Sequence, residues 1–266
     1  MATLPFQDKV IAVTGASRGA GLATARHLLS RGAKVSMAAT SEENLARGLA
    51  GIHQDIPEAR DRVMTMICDV SKQEQVEAWI NATVAKFGPL DGAANVAAKM
   101  NDRIYPITDM PLEDLNLLHD TNVVGTFNCL KFEMKNIKDG GSIVNCGSIM
   151  SKYASPGMSC YCASKHAIIG LTKVASFEGA PRGIRVNALC PGAIDTDMVR
   201  QPLLMNNGQI WNVKEDHNIP SLVKRWAKPE EIAASIAFLL GDDSKMVNRQ
   251  EWYVDGGWCE VGYAWS

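Results

Sequence analysis

Two hydrophobic rhythms alternate along the chain. Short runs rich in β-branched and small apolar residues read as strands: KVIAVT (9–14), AKVSMAA (33–39), RVMTMI (62–67), LDGAAN (90–95), GSIVNC (141–146), IRVNALC (184–190) and EWYVDG (251–256). Between them, apolar residues recur at helical spacing, as in Val76, Ile80, Val84 and Phe87, in Ile168, Leu171 and Ala175, and in Ile232, Ile236 and Leu239. Such spacing lays each group along one stripe of a helix, so these are core positions rather than ligand positions. Regular strand–helix alternation predicts βαβ units and therefore an α/β fold, a doubly wound parallel sheet of about seven strands with helices on both faces.

No Pro/Ser-rich linker, repeat or low-complexity tract interrupts the pattern, so residues 1–266 are expected to form a single domain. The exception to the alternation is 196–228, a long and partly apolar connection (MVRQPLLM) between a strand and a helix. Connections of this length are often active-site lids, and a substrate lid is the expectation here.

Composition narrows the partners. With 46% hydrophobic residues, 21% charged residues and a net charge of -2, the chain has no global attraction for nucleic acid or an anionic membrane. The opening MATLPFQDKVIAVTG lacks a basic segment followed by an apolar run, and no 18 consecutive apolar residues occur, so a cytoplasmic protein without a membrane span is expected. Seven cysteines, at 68, 129, 146, 160, 162, 190 and 259, form no metal-type double pair and no C-x-x-C; they read as reduced, mostly buried side chains, with no metal site.

Candidate chemistry begins after the first strand, in TGASRGAG. Gly15, Gly19 and Gly21 allow a tight turn and close backbone approach, and the helix that follows from Ala20 presents free N–H groups suited to a pyrophosphate. The competing reading is a purely structural turn. The second strand ends in Ala39-Thr40-Ser41-Glu42-Glu43, without the acidic residue that would hold a ribose 2′-hydroxyl. Arg18, with the hydroxyls of Thr40 and Ser41, suits a 2′-phosphate, so NADP(H) is favoured over NAD(H). Alternatively Thr40 and Glu43 form a helix capping box and Arg18 points to water. Asp69, after the third strand, suits an adenine amino group, with Ser71 to Glu74 supplying the cap of the next helix.

The stretch YCASK places Tyr161 and Lys165 four residues apart, on one face of a helix. Taken alone this is an aromatic beside a lysine. Taken with TGASRGAG (14–21), NVAA (95–98) and CPG (190–192), it resembles the short-chain dehydrogenase/reductases over nearly the whole chain, Lys9 to Gly257. The glycine loop and AATSEEN look most like the NADPH-dependent carbonyl reductases of the 3-oxoacyl-reductase type.

The resemblance implies a Rossmann-type fold and a catalytic tetrad of Asn122, Ser148, Tyr161 and Lys165. A free phenol ionises near pH 10, too high to serve well in both directions near neutrality, whereas a neighbouring ammonium favours the phenolate. In the family the lysine also bonds the nicotinamide ribose, the serine holds the substrate oxygen, and the asparagine, at a helix kink, holds a proton-relaying water. Without the family, Ser148 reads as a strand-end turn residue and Asn122 as a solvated one. Cofactor contacts are expected from Gly15, Ser17, Arg18, Gly19, Ala20, Gly21, Thr40, Ser41, Asp69, Val70, Asn95 and Ala97. Tyr161, Lys165, Pro191, Gly192, Ile194 and Thr196 complete the set. The chain departs from the family's N-N-A-G, with Ala98 in place of the last glycine, and in its tail WCEVGYAWS, which is expected to pack on a neighbouring subunit, cover a pocket or dock on its own domain.

The expected activity is NADPH-dependent interconversion of a ketone and a secondary alcohol. Met150, Tyr153, Met158, Met198, Leu203, Leu204 and Trp211 would line an apolar pocket for a bulky, hydrophobic, secondary-metabolite-like substrate. Two alternatives stay open: epimerisation, dehydration or cyclisation on the same fold and cofactor, and a silent cofactor-binding regulator. The helices around 112–137 and 157–179 are those through which the family dimerises, which implies a homodimer or homotetramer.

Overall fold

The computed structural model describes residues 4–201, 203–205, 207–211 and 221–261. Strands β1 (Val10–Thr14), β2 (Lys34–Ala39), β3 (Val63–Ile67) and β4 (Leu90–Asn95) alternate with helices α1 (Gly19–Leu29), α2 (Glu42–Asp55) and α3 (Gln73–Phe87). A two-residue strand β5 (Arg103–Ile104) precedes helix α4 (Leu112–Leu118), a π-helical turn at His119–Val124 and helix α5 (Gly125–Asn136). Then come β6 (Ile137–Cys146), α6 (Ser159–Gly179), β7 (Arg185–Pro191), α7 (Asp197–Arg200), β8 (Leu203–Met205), β9 (Ile210–Trp211), α8 (Pro229–Leu240), β10 (Glu251–Val254) and α9 (Trp258–Val261).

The seven strands expected from the apolar runs form one sheet in the order β10-β7-β6-β4-β1-β2-β3. Every neighbouring pair is parallel. The order reverses at β1, which builds outward to β2 and β3 on one side and to β4, β6, β7 and β10 on the other. A crevice at the carboxyl ends of the strands follows from that switch.

Strand alternation explains the two cores. Ile11 and Val13 of β1 pack with Leu28 of α1, Ile52 of α2 and Ile232 and Ile236 of α8. Val10 and Ala12 face the opposite way, onto Val76, Trp79 and Ile80 of α3, Phe132 of α5 and Ala175 of α6. With both faces covered, the strand residues of β1 are all buried, as a central parallel strand requires. The predicted stripes of α3 and α8, and Leu171 and Ala175 of α6, sit in these cores or against them, and Ile168 is buried as well. Trp79 is fully buried, and its indole N–H donates to Ser36 Oγ at 2.8 Å.

The long connection after β7 carries secondary structure that hydrophobic patterning missed. In it β8 pairs parallel with β5 and antiparallel with β9, forming a second, three-stranded sheet. Leu204 N–H donates to Asp102 O at 3.0 Å, and a side chain at Gly157 would run into Ile104, so three loops meet there. The far end returns to the body of the fold, where Asp195 N–H donates to Ala227 O and Ala227 N–H to Ala193 O, each at 2.9 Å. Residues 212–220 of the connection lie outside the described residues.

Candidate active site

At the carboxyl ends of the central strands lies a cavity of about 490 Å³. Its floor is the loop from β1 into α1. Gly15 and Gly19 have φ of +63° and +54°, a region open to glycine at little cost. A Cβ on Gly15 would fall 2.9 Å from the Ala97 backbone, and one on Gly21 would run into the Gly15 carbonyl. The backbone therefore closes on itself only without side chains. Helix α1 starts at this loop with no side-chain cap on its first turn and no acidic residue there. Its orphan N–H groups and positive dipole end fit a dinucleotide's pyrophosphate.

The cavity lining gathers most of the expected positions. Gly15, Ser17, Arg18, Gly19, Ala20 and Gly21 are joined by Thr40, Asp69, Val70 and Ala97. Ser148, Tyr161 and Lys165 stand in the same lining, with Pro191, Gly192, Ile194, Thr196 and Met198 beyond them. Residues missed by sequence reasoning, among them Ala39, Cys68, Lys99, Met100, Thr121 and Asp197, flank predicted ones along the chain. A further missed residue is Thr14, whose Oγ1 accepts from Val96 N–H at 3.0 Å and Ala97 N–H at 3.1 Å, tying the end of β4 to the glycine loop.

Several expectations need correction. The cap of α2 is Ser41, not Thr40: Ser41 Oγ accepts from Asn44 N–H at 3.2 Å, and Ser41 is absent from the cavity lining. Glu43 is drawn one turn forward to Arg47, at 2.8 Å, instead of back to the helix start. Ser71 does not cap α3, because Asp69 Oδ1 captures both its N–H and its hydroxyl, at 3.0 and 2.8 Å. That oxygen of Asp69 is thus engaged within its own turn. The Asn95 side chain turns away from the cavity, its Nδ2 donating to Glu133 Oε2 at 2.9 Å and to Asn145 Oδ1 at 3.0 Å inside the sheet–helix layer.

The polar end of the cavity draws on three elements. Lys165, on α6, is 1% exposed; its Nζ donates to Cys146 O at 2.8 Å and lies 5.5 Å from the centre of the Tyr161 ring. Ser148 starts the short 3₁₀ turn Ile149–Ser151, where its Oγ accepts from Met150 N–H at 3.1 Å and keeps its own proton to donate. Asn122 is fully buried in the π-helical turn rather than solvated. Its Oδ1 accepts from Lys99 N–H at 2.8 Å, and its Nδ2 donates to Lys99 O at 2.9 Å and Ser164 Oγ at 3.0 Å. The wide turn breaks the helix where this side chain reaches across to the 99 loop.

Burial shapes the titration of the surroundings. Glu133, enclosed behind Asn95, has its carboxyl pushed up to about 7 by desolvation, against the pull of the Asn95 hydrogen bond. Desolvation likewise pushes the Cys68 and Cys190 thiols up to about 12, and raises Cys146 despite the nearby Lys165 ammonium. All seven cysteines are free and, Cys146 apart, buried.

The apolar pocket is rearranged relative to expectation. Met150, Tyr153 and Met158 pack with Ile149, Cys162 and Tyr161, but none of the three lines the cavity. The reason is the chain's end: Trp258 and Cys259 dock on this cluster, and Tyr153 donates its hydroxyl to the Cys259 carbonyl. Asp255 holds that turn, accepting from Gly257 N–H at 2.9 Å and Cys259 N–H at 2.7 Å. Of the three possibilities for the tail, its first residues thus dock on their own domain; 262–266 lie outside the described residues. Leu203 is buried and Leu204 exposed in β8, away from the lining; of Trp211 only the backbone, in β9, is described. Among the described residues no helix is long and apolar enough to cross a membrane.

A seven-stranded parallel sheet, an uncapped helix behind a glycine loop, and a buried lysine beneath a tyrosine define a dinucleotide-dependent oxidoreductase class. The chain belongs to the short-chain dehydrogenase/reductase family: the family model described as Enoyl-(Acyl carrier protein) reductase matches residues 15–259. It is 38% identical to "Short-chain dehydrogenase/reductase aba4" of Botryotinia fuckeliana over 97% of this chain and 99% of that one. It is 34% identical to "2,5-dichloro-2,5-cyclohexadiene-1,4-diol dehydrogenase" of Sphingobium indicum, over 96% of this chain and 99% of that one. The crystal structure of levodione reductase superposes with a TM-score of 0.85 at 34% identity, covering 97% of this chain and all of that one. These relatives are named as dehydrogenases and reductases, and membership of the short-chain dehydrogenase/reductase family makes this chain a nicotinamide-dependent oxidoreductase of CH–OH/C=O centres in the coarse sense.

Proposed function

We propose that the protein is an NADPH-dependent oxidoreductase that interconverts a ketone and a secondary alcohol on a bulky, largely hydrophobic substrate. The observation that carries this reading is the buried Lys165 ammonium beneath Tyr161, in one cavity with Ser148 and the glycine loop. Arg18, exposed at the cavity's cofactor end, and Thr40 suit a 2′-phosphate, and no carboxylate ends β2 to hold a 2′-hydroxyl. The glycine loop would hold the pyrophosphate, with Val70, Ala97, Pro191, Gly192, Ile194 and Thr196 around the rest of the dinucleotide.

When bound, the cofactor supplies the hydride in reduction and takes it up in oxidation. Ser148 donates to the substrate oxygen and fixes it beside Tyr161. In reduction Tyr161 gives its phenolic proton to the oxygen as negative charge develops there, and in oxidation it takes that proton back. Lys165 stabilises the phenolate left behind. Asn122, buried in the π-helical turn, would hold a water through which Lys165 and then the phenol regain a proton. One ketone, one NADPH and one proton give one secondary alcohol and one NADP⁺.

Met100, Met198 and Val199 in the cavity lining favour an apolar substrate body, with the connection 196–228 as the lid. The substrates for which two relatives are named, levodione and a dichlorocyclohexadienediol, favour small-molecule, secondary-metabolite-like chemistry. Exposed Phe127 on α5 and Val174 and Phe177 on α6 suit a homodimer or homotetramer.

Parallel fluorescence titrations with NADPH and NADH test the cofactor, and Arg18→Ala tests its site. NADPH should bind more tightly, and the variant should lose roughly 10- to 100-fold in NADPH affinity with NADH unchanged, the scale of a lost charge-assisted contact. Preference for NADH would overturn the phosphate assignment. Rapid turnover of small charged keto acids with none on hydrophobic ketones would overturn the substrate class.

A further inference from the structure

The four side chains of the proposed chemistry stand on three separate elements, Ser148 past the end of β6, Asn122 in the π-helical turn, and Tyr161 and Lys165 on α6. We propose that two serines outside that set, Ser151 and Ser164, are positioning residues that lock these elements into one catalytic geometry; the inference rests on the oxidoreductase reading above.

Ser151 Oγ accepts from Ser148 N–H at 3.1 Å and donates to Lys165 O at 3.0 Å. Ser164 Oγ accepts from Asn122 Nδ2 at 3.0 Å and donates to Tyr161 O at 2.8 Å. Each hydroxyl therefore spends its donor on α6 and its acceptor on the element that carries the other member of a catalytic pair. Both serines are buried, at 5% and 3% exposure, so water does not compete for these bonds.

The bond from Ser164 to the Tyr161 carbonyl is a common local habit of serine in a helix. The second bond is what a purely local role leaves unexplained, since Asn122 lies 42 residues away in sequence. Neither hydroxyl lies on a proton route, because both donate to peptide carbonyls, which do not take up protons. Their contribution is alignment. A misplacement of about 1 Å at a reacting group costs on the order of 10²-fold in rate, and a hydroxyl bonded on both sides resists a shift of that size.

The test uses Ser151→Ala and Ser164→Ala in the full-length protein, alone and in the Ser148→Ala and Tyr161→Phe backgrounds respectively. Each single variant should lower kcat roughly 10- to 100-fold while KM and the NADPH dissociation constant change less than about threefold. In its paired background each should cost clearly less than it does alone, because one of the two groups it positions is already gone while Lys165 or Asn122 remains. The same fold-loss in both backgrounds would make the serines general structural staples and overturn the proposal.

A second measurement needs no turnover. Hydrogen exchange followed by mass spectrometry should speed up in segment 147–152 for Ser151→Ala and in 119–126 for Ser164→Ala, with the central strands unchanged. Unchanged exchange in these segments overturns the brace. Absence of ketone turnover by the unmodified protein overturns the oxidoreductase reading and leaves the exchange result to decide the brace alone. The two variants sit on different elements, so failure of one to fold leaves the other to score the proposal.

Discussion

Replacing Glu133 by glutamine should remove a large pH dependence of stability. The Glu133 side chain is fully buried between α5 and the sheet, and burial lifts its carboxyl from about 4.5 to about 7. Its Oε1 and the Oδ1 of Asn95 are both buried without a hydrogen-bond partner among the described residues, and only a protonated carboxyl adds a donor to that pair. The folded value lies above the unfolded one, so the folded protein holds this proton more tightly. The associated stability is fully present below about pH 4.5 and is lost as pH rises through about 7. A shift of about 2.5 units corresponds to about 3 kcal/mol. For a chain of 266 residues this moves the melting temperature by about 5 °C. Calorimetric melts of the native protein and Glu133→Gln at pH 5 and pH 8.5 read the effect as a difference, in which the other titrating groups cancel. The native protein should lose about 5 °C relative to the variant on going from the lower to the higher pH. Parallel pH profiles would refute the assignment of a neutral carboxyl below pH 7.

Three further outcomes are expected. Tyr161→Phe should lose on the order of 10²–10⁴-fold in turnover and still bind NADPH, as measured by steady-state rates and fluorescence titration; unchanged turnover would remove Tyr161 from its role. Gly21→Ala should weaken dinucleotide binding at least tenfold, because the added methyl must displace the Gly15 carbonyl; an unchanged dissociation constant would separate that loop from the cofactor. With thiols pushed up to about 12 by burial, Cys68 and Cys190 should resist alkylation at pH 8 in the folded protein and react on unfolding, which peptide mapping by mass spectrometry reads directly.

What the amino-acid order revealed was the part of the molecule governed by repetition. The apolar runs at 9–14 and 184–190 contain strands because both of their faces are buried, and the stripe of Val76 and Ile80 faces the core because helical period puts it there. Residues meeting the cavity through the backbone, such as Gly15 and Gly19, were legible from the need for positive φ. Side chains whose meaning depends on a partner distant in sequence were not. Asn95 reads like a groove residue until Glu133, 38 positions on, turns it inward. The helix caps expected at Thr40 and Ser71 differ in the structure, since each stretch has two local hydrogen-bonding solutions and only the packed structure selects one. Strands β5, β8 and β9 escaped because runs of two or three residues have no detectable period.

That small sheet carries a consequence for how specificity changes in descendants of this scaffold. Strand β5 belongs to the stretch after β4 and β8 to the stretch after β7, yet they pair Arg103 with Leu204 and Ile104 with Met205, while Gly157 leaves room for Ile104 from a third stretch. The three segments are therefore one coupled module, although about fifty residues of framework separate each from the next. A loop transplanted singly from a relative arrives without its pairing strand; transplanted as a set, the three arrive with their register intact and leave the seven-stranded sheet untouched.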